Sequence, residues 1–239
     1  MSPLSETILS KRDKRLHGIN IKTKQRTHKA MPPQNQILPA IIAQNQEELD
    51  EMLQKIPFAE NIMLDLMDGK FVGATSLDFP MTLPDGPRYQ LHIMAVDPIT
   101  RIRELPPQVD TVILHAETLD SISEAIKESK ALGLNLFIAL NPETPISEIE
   151  QYLHQLHGVL IMSVNPGQYG AKFLPEQLAK IRKLRENSSD LNLEVDGGMK
   201  NTTIGLAIAA GANMIASGSF IMKSKDPEAA YNILRMFFS

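Results

Sequence analysis

From residue 37 onward the chain alternates between two hydrophobic rhythms. Short apolar runs at 37–43, 62–67, 89–94, 111–116, 134–140, 159–164, 191–195 and 213–217 read as strands. Between them the apolar positions recur at helical spacing. The stretch 46–56 puts Leu49, Met52, Leu53 and Ile56 on one face, and 121–132, 146–156, 175–185, 202–210 and 227–238 behave alike. Pro98, Pro145, Pro175 and Pro227 stand where a first helical turn tolerates proline. The units after the second and third strands are weaker and predict only short helices.

Eight strands alternating with helices over about 200 residues predict an α/β fold with a parallel sheet inside a helical layer. Length and strand count favour a closed eight-stranded (β/α) TIM barrel over an open doubly wound sheet. No Gly-x-Gly-x-x-Gly motif opens the first helix, which argues against a dinucleotide-binding sheet. Barrels of this kind assemble their active sites at the C-terminal ends of the strands. The polar residues at those ends are therefore the candidates for chemistry.

The second strand carries Asp65 inside an apolar run closed by Asp68-Gly69, and a carboxylate there is costly unless paired or metal-bound. Asp68 reads as a turn residue. The third strand offers His92, the fourth His115 and Glu117, the fifth Asn141, the sixth Asn165 and the seventh Asp196. Two carboxylates and an imidazole converging at one barrel mouth suit a divalent cation such as Zn²⁺, Mn²⁺ or Fe²⁺. Glycine-rich ends follow the last three strands: 165–170 with Gly167 and Gly170, Gly197-Gly198, and Gly218-Ser219. Backbone N–H groups in such loops bind phosphate, which points to a phosphorylated small-molecule substrate.

Composition narrows the classes. With 43% hydrophobic and 22% charged residues the chain can bury a sizeable core. Having no cysteine, it has no disulfide, Cys-ligated zinc or thiol nucleophile, a composition that fits a cytoplasmic protein. No apolar run approaches the roughly 20 residues of a spanning helix. The net charge of −4 divides unevenly, with +6 in residues 1–30 and −10 in 31–239. The acidic body argues against nucleic-acid binding. Residues 1–34 are expected to be a basic, disordered extension and 35–239 a single barrel domain; Met31 stands just before the first strand, so 1–30 read as an upstream addition.

Seven stretches in order, 64–72 (L-D-L-M-D-G-K-F-V), 91–98 (L-H-I-M-A-V-D-P), 113–117 (I-L-H-A-E), 141–145 (N-P-E-T-P), 162–167 (M-S-V-N-P-G), 195–198 (V-D-G-G) and 210–219 (A-G-A-N-M-I-A-S-G-S), resemble the ribulose-phosphate 3-epimerase family. The resemblance implies interconversion of ribulose 5-phosphate and xylulose 5-phosphate by proton transfer at C3. It implies Asp65 and Asp196 as the acid/base pair, and Asp65, His92 and Asp196 as ligands of a divalent metal, zinc in many members. It further implies a substrate site that includes His92, Met67, Met94 and Met162, and a homo-oligomeric assembly. Periodicity alone makes those three methionines core residues.

Four changes, one of them a residue pair, depart from the family pattern. A histidine ligand two residues before the first aspartate is Met63 here, a soft and poor replacement for imidazole on zinc. A serine after the first strand is Ala43, the loop after Val72 reads Gly73-Ala74, and the phosphate loop carries Tyr169 where the family has glycine. These changes keep two alternatives open: an epimerase of a related sugar such as allulose 6-phosphate, and a degenerate barrel that binds sugar phosphate without turnover. A related group of hexulose-phosphate synthases and decarboxylases uses an Asp-x-Lys-x-x-Asp strand, and Asp65-Leu66-Met67-Asp68 lacks that lysine.

Overall fold

The structure, a computed structural model, describes residues 34–167 and 172–238. Residues 1–33, on which the expectation of a disordered basic arm falls, lie outside the described residues. So do Tyr169 and Gly170 of the expected phosphate loop.

Among the described residues nine strands form in order: β1 (Gln36–Ile41), β2 (Asn61–Asp68), β3 (Thr75–Ser76), β4 (Arg88–Met94), β5 (Val109–His115), β6 (Asn135–Leu140), β7 (Gly158–Met162), β8 (Asn192–Asp196) and β9 (Met214–Ser217). Eight of them pair in parallel, each with its neighbour. The ring closes because β1 pairs with both β9 and β2, giving the expected (β/α) TIM barrel.

The strands are apolar on both faces because both are covered. On β2, Ile62, Leu64 and Leu66 point out into the core shared with the helices, whereas Met63 joins Leu38, Ile113, Phe137 and Leu160 inside the barrel. On β4, Leu91 and Ile93 belong to the outer core, so Gln90, His92 and Met94 face inward; on β8, Leu193 and Val195 face outward and Glu194 and Asp196 inward. The period of two thus delivers Asp65, His92 and Asp196 to the same interior. Register then sets their height, with Asp65 opposite His92 and Asp196 opposite Met162.

The outer layer departs from the expected helices in places. Asn45, Ser121 and Asp226 cap helices over Gln46–Gln54, Ile122–Ala131 and Pro227–Arg235 by accepting from Glu48, Glu124 and Ala229 N–H groups. The segment 146–156 forms two 3₁₀ turns, Ile146–Glu148 and Glu150–Gln155, because Pro145 supplies no capping side chain and Ile149 at φ −120° interrupts the run. After β2 the chain makes no helix. It folds back as β3, antiparallel to β2, so that Thr75 and Ser76 stand over Asp68 and Met67.

At the opposite end of the barrel, Arg185 ties the helix Leu178–Asn187 to the strand ends. Its guanidinium donates to the carbonyls of Gly211, Ser189 and Leu191 and to Asn213 Oδ1, all at 2.7–3.1 Å. Arg185→Ala is expected to destabilise the fold by about 2 kcal/mol, since it strands several carbonyls. The check is urea denaturation; an unchanged midpoint would contradict it.

Candidate active site

At the C-terminal mouth of the barrel lies a cavity of about 270 Å³. Asp65 and Asp196 line it, joined by Met67, Met94 and Met162 on the inner wall. Gly167, Gly197, Gly198, Gly218 and Ser219 also line it, so of the expected sugar and phosphate contacts that fall on described residues all but His92 line this cavity. No lysine or arginine lines it among the described residues. A larger cavity of about 470 Å³ opens at the other mouth, edged by Gln36, Asn61, Asn135 and the Arg88–Asp110 ion pair. Its lining includes Asp110, His154, His157 and Asp190 but none of Asp65, His92 and Asp196.

His92 lies just beneath the mouth, fully buried. Its Nδ1 is 3.1 Å from Asp65 Oδ1 and 3.9 Å from Asp196 Oδ2. Among the described residues these three form the one group whose ligand atoms fit a metal, all within 4.8 Å of one another. Burial, with the Asp65 charge adding to it, pushes the Asp196 carboxyl well above the usual carboxylate range; the His92 charge and the Gly197 N–H oppose that rise. Two carboxylates and an imidazole nitrogen this close together are what a divalent cation would hold, and the oxygen and nitrogen set suits zinc, manganese or iron.

Met63 is fully buried inside the barrel and does not line the cavity, which leaves Asp65, His92 and Asp196 as the candidate ligands. The departure expected at Ala43 needs correction. Ala43 does not reach the cavity; its N–H donates to Ser76 Oγ at 3.1 Å, and the β1 side of the wall is Ala40, Ile42 and Gln44. Ala43 lies past the end of β1 and pairs with the β3 turn instead. Of the Gly73-Ala74 pair, Ala74 lines the cavity.

The loops that shape the mouth are fastened from below. Asp68, expected only as a turn residue, accepts from the N–H groups of Lys70 (2.8 Å), Phe71 (3.0 Å) and, across to the next loop, Val96 (3.0 Å). Burial works to raise its carboxyl, but those backbone bonds outweigh it and hold the carboxyl below its ordinary value. Ser163, buried at the end of β7, donates to the carbonyls of Asp196 (2.9 Å) and Gly197 (2.7 Å), which anchors the turn behind Asp196. Gly197 sits at φ +110°, and a Cβ there would lie 2.5 Å from Val164. Gly197 is therefore required by the close approach of the segment after β7, while Gly198, at φ +66°, lies against Phe173.

His115 and Glu117 stand behind His92, and Asn141 supports them rather than the cavity. The two imidazoles meet Nε2 to Nε2 at 2.8 Å, and His115 Nδ1 lies 3.3 Å from Glu117 Oε2. Burial pushes the His115 ring down to about 4 against the pull of Glu117. Burial works to raise Glu117, but hydrogen bonds from His115, Thr144 and the Asn141 N–H dominate and hold it at about 2. Lys180 braces the same loop through the carbonyls of Asn141 (2.9 Å) and Pro142 (2.8 Å). Asn165 is exposed and lies off the cavity. Glu194, two residues before Asp196 and fully buried, was missed from the sequence, although the i, i+2 spacing with Asp196 places both on one strand face.

The sequence profile of the ribulose-phosphate 3 epimerase family matches residues 35–222. A chloroplastic ribulose-5-phosphate-3-epimerase of Arabidopsis thaliana is 33% identical over 227 residues, covering 89% of this chain and 80% of its own. The ribulose-phosphate 3-epimerase of Escherichia coli K12 is 31% identical, covering 83% and 94%. That of Methanocaldococcus jannaschii is 34% identical, covering 72% and 76%. Among solved structures, 3-hexulose-6-phosphate synthase from Salmonella typhimurium superposes with a TM-score of 0.63 at 12% identity, covering 87% of this chain and 98% of its own. At that identity the likeness speaks for the barrel alone.

Proposed function

This chain belongs to the ribulose-phosphate 3-epimerase family, an isomerase family, and from that premise we propose that it interconverts ribulose 5-phosphate and xylulose 5-phosphate. The observation that carries the reading is the pair of carboxylates, Asp65 and Asp196, on separate strands of one cavity with His92 between them. One carboxylate takes the C3 proton from one face of the sugar while the other, holding its proton because of burial, delivers to the opposite face. The apolar wall of Met67, Met94 and Met162 excludes water from the reacting carbon. Gly197, Gly198, Gly218 and Ser219 present backbone to the phosphate, and Gly167 with Gly170 completes that loop in the proposal. A divalent cation on Asp65, His92 and Asp196, zinc by preference with manganese or iron as alternatives, would supply positive charge that eases loss of the C3 proton.

Cytoplasmic action as a homo-oligomer belongs to the same proposal. Exposed Leu206, Ile233, Met236 and Phe237 support an assembly surface near the C-terminus. No helix of the described residues is long and apolar enough to cross a membrane.

The test is turnover by purified, chelator-stripped protein after adding back Zn²⁺, Mn²⁺ or Fe²⁺, with ribulose 5-phosphate and allulose 6-phosphate as substrates. Epimerisation with uptake of deuterium from D₂O at C3 is expected. No turnover of either sugar with any metal would overturn the reading. Met63 favours a second reading, a barrel that binds sugar phosphate without turnover, because it puts a soft thioether where the family pattern has an imidazole ligand. Calorimetric binding without interconversion would decide for it.

A further inference from the structure

The polar residues behind the cavity form a directed chain. Glu117 Oε1 accepts from the Asn141 N–H at 2.9 Å and from the Thr144 hydroxyl, so that oxygen is committed to two donors. Its other oxygen, Oε2, faces His115 Nδ1 at 3.3 Å, and a carboxylate can only accept there. His115 therefore carries its proton on Nδ1 and turns a bare Nε2 toward His92. At 2.8 Å two lone pairs cannot face each other, so His92 Nε2 bears the proton that fills the contact. That leaves His92 Nδ1 bare, aimed at Asp65 and Asp196.

Left to itself His92 would do the opposite. A proton on Nδ1 would make a charge-assisted bond to the Asp65 carboxylate 3.1 Å away. Both rings are fully buried and stacked with centroids 5.0 Å apart, and Phe71 packs on His115 at 4.9 Å, so water does not exchange the tautomers freely.

We infer that His115 and Glu117 are positioning residues that hold His92 in the tautomer whose Nδ1 lone pair faces Asp65 and Asp196. The inference rests on the proposed cation site for its purpose, since a bare Nδ1 is what a metal requires. Its existence rests on the direction of the Glu117–His115–His92 hydrogen bonds, which compete with the Asp65 carboxylate for where the His92 proton sits. Groups that orient a ligand histidine in this way typically contribute about 10–100-fold to metal affinity.

Glu117→Gln tests it because the amide is forced to reverse the chain. Its oxygen must stay with the Asn141 and Thr144 donors, so its NH₂ faces His115. His115 then turns Nε2–H toward His92, and the His92 proton moves to Nδ1, against Asp65. Nitrogen-15 NMR of the metal-free protein at pH 8, with His92 assigned through His92→Gln, is expected to show Nε2 protonated in the wild type and Nδ1 protonated in the variant. Calorimetry with Zn²⁺ alone, at a temperature where both proteins are folded, is expected to show about 10–100-fold weaker binding by the variant. A wild-type His92 protonated on Nδ1, or a tautomer unmoved in Glu117→Gln, would overturn the inference. Wild-type protein that binds no Zn²⁺, or binds it equally well as Asp196→Asn, would instead refute the cation site, and the NMR result would still judge the relay.

Discussion

Asp65→Asn is expected to lower kcat for epimerisation on the order of 10³-fold while leaving the melting temperature within a degree or two, by the usual worth of one general acid–base group. The amide keeps the size of the side chain and its contact with His92 Nδ1, now as a donor, so the buried neighbourhood stays satisfied. What it loses is the capacity to take or return a proton and to ligate a cation. Asp196→Asn should be as damaging. The two variants should differ in one respect: because the carboxylates serve opposite faces of C3, each retains slow deuterium exchange on one of the two sugars, and not the same one. Proton NMR in D₂O measures both quantities. A kcat within tenfold of wild type for Asp65→Asn, or identical residual exchange in both variants, would contradict the proposed assignment.

Glu194→Gln is expected to stabilise the metal-free protein, and the gain should depend on pH. Glu194 sits inside the barrel with one oxygen accepting from Gln90 Nε2 at 2.7 Å and the other without a hydrogen-bond partner among the described residues. Burial, reinforced by the charges of Asp196 and Asp65 and opposed by Gln90, pushes its carboxyl from 4.5 up to about 8. The folded-state value lies above the unfolded one, so between 4.5 and about 8 the unfolded chain releases a proton that the native state retains. Stability contributed by the protonated form is whole below pH 4.5 and is lost as pH rises through that window. Glutamine keeps the bond to Gln90 and does not titrate. The variant should match wild type near pH 4.5 and exceed it by about 3 kcal/mol at pH 8, a rise in melting temperature of roughly 6–12 °C. Urea titrations with chelator at the two pH values measure it, and stability curves that run parallel would refute it.

Much of the barrel was legible because its signal is local. Continuous apolar runs with helical stretches between them require a parallel sheet covered on both faces, and the strand-end rule then pointed to Asp65, His92 and Asp196 from three different strands. Elements that depend on weak local preferences were less legible. The 146–156 stretch has helical spacing but no cap, and it settled into 3₁₀ turns once Ile146 and Ile149 were buried. The fold-back of β3 onto β2 has a two-residue signature that periodicity cannot detect.

Some facts were settled by sequence alone. The alternation along β2, β4 and β8 determined that Asp65, His92 and Asp196 share a side with Met63, Gln90 and Glu194, since a strand sends every second residue to the same face. Which of those residues meet was decided only by tertiary structure. Closure of the ring and the register between strands set the heights, placing Asp65 beside His92 at the mouth and leaving Met63 and Glu194 in the interior. The same register turned His115 and Glu117 into the backing of His92, and moved the first strand's contribution from Ala43 to Ala40, Ile42 and Gln44. Periodicity is a property of one strand, whereas a distance across the barrel depends on how all eight are staggered.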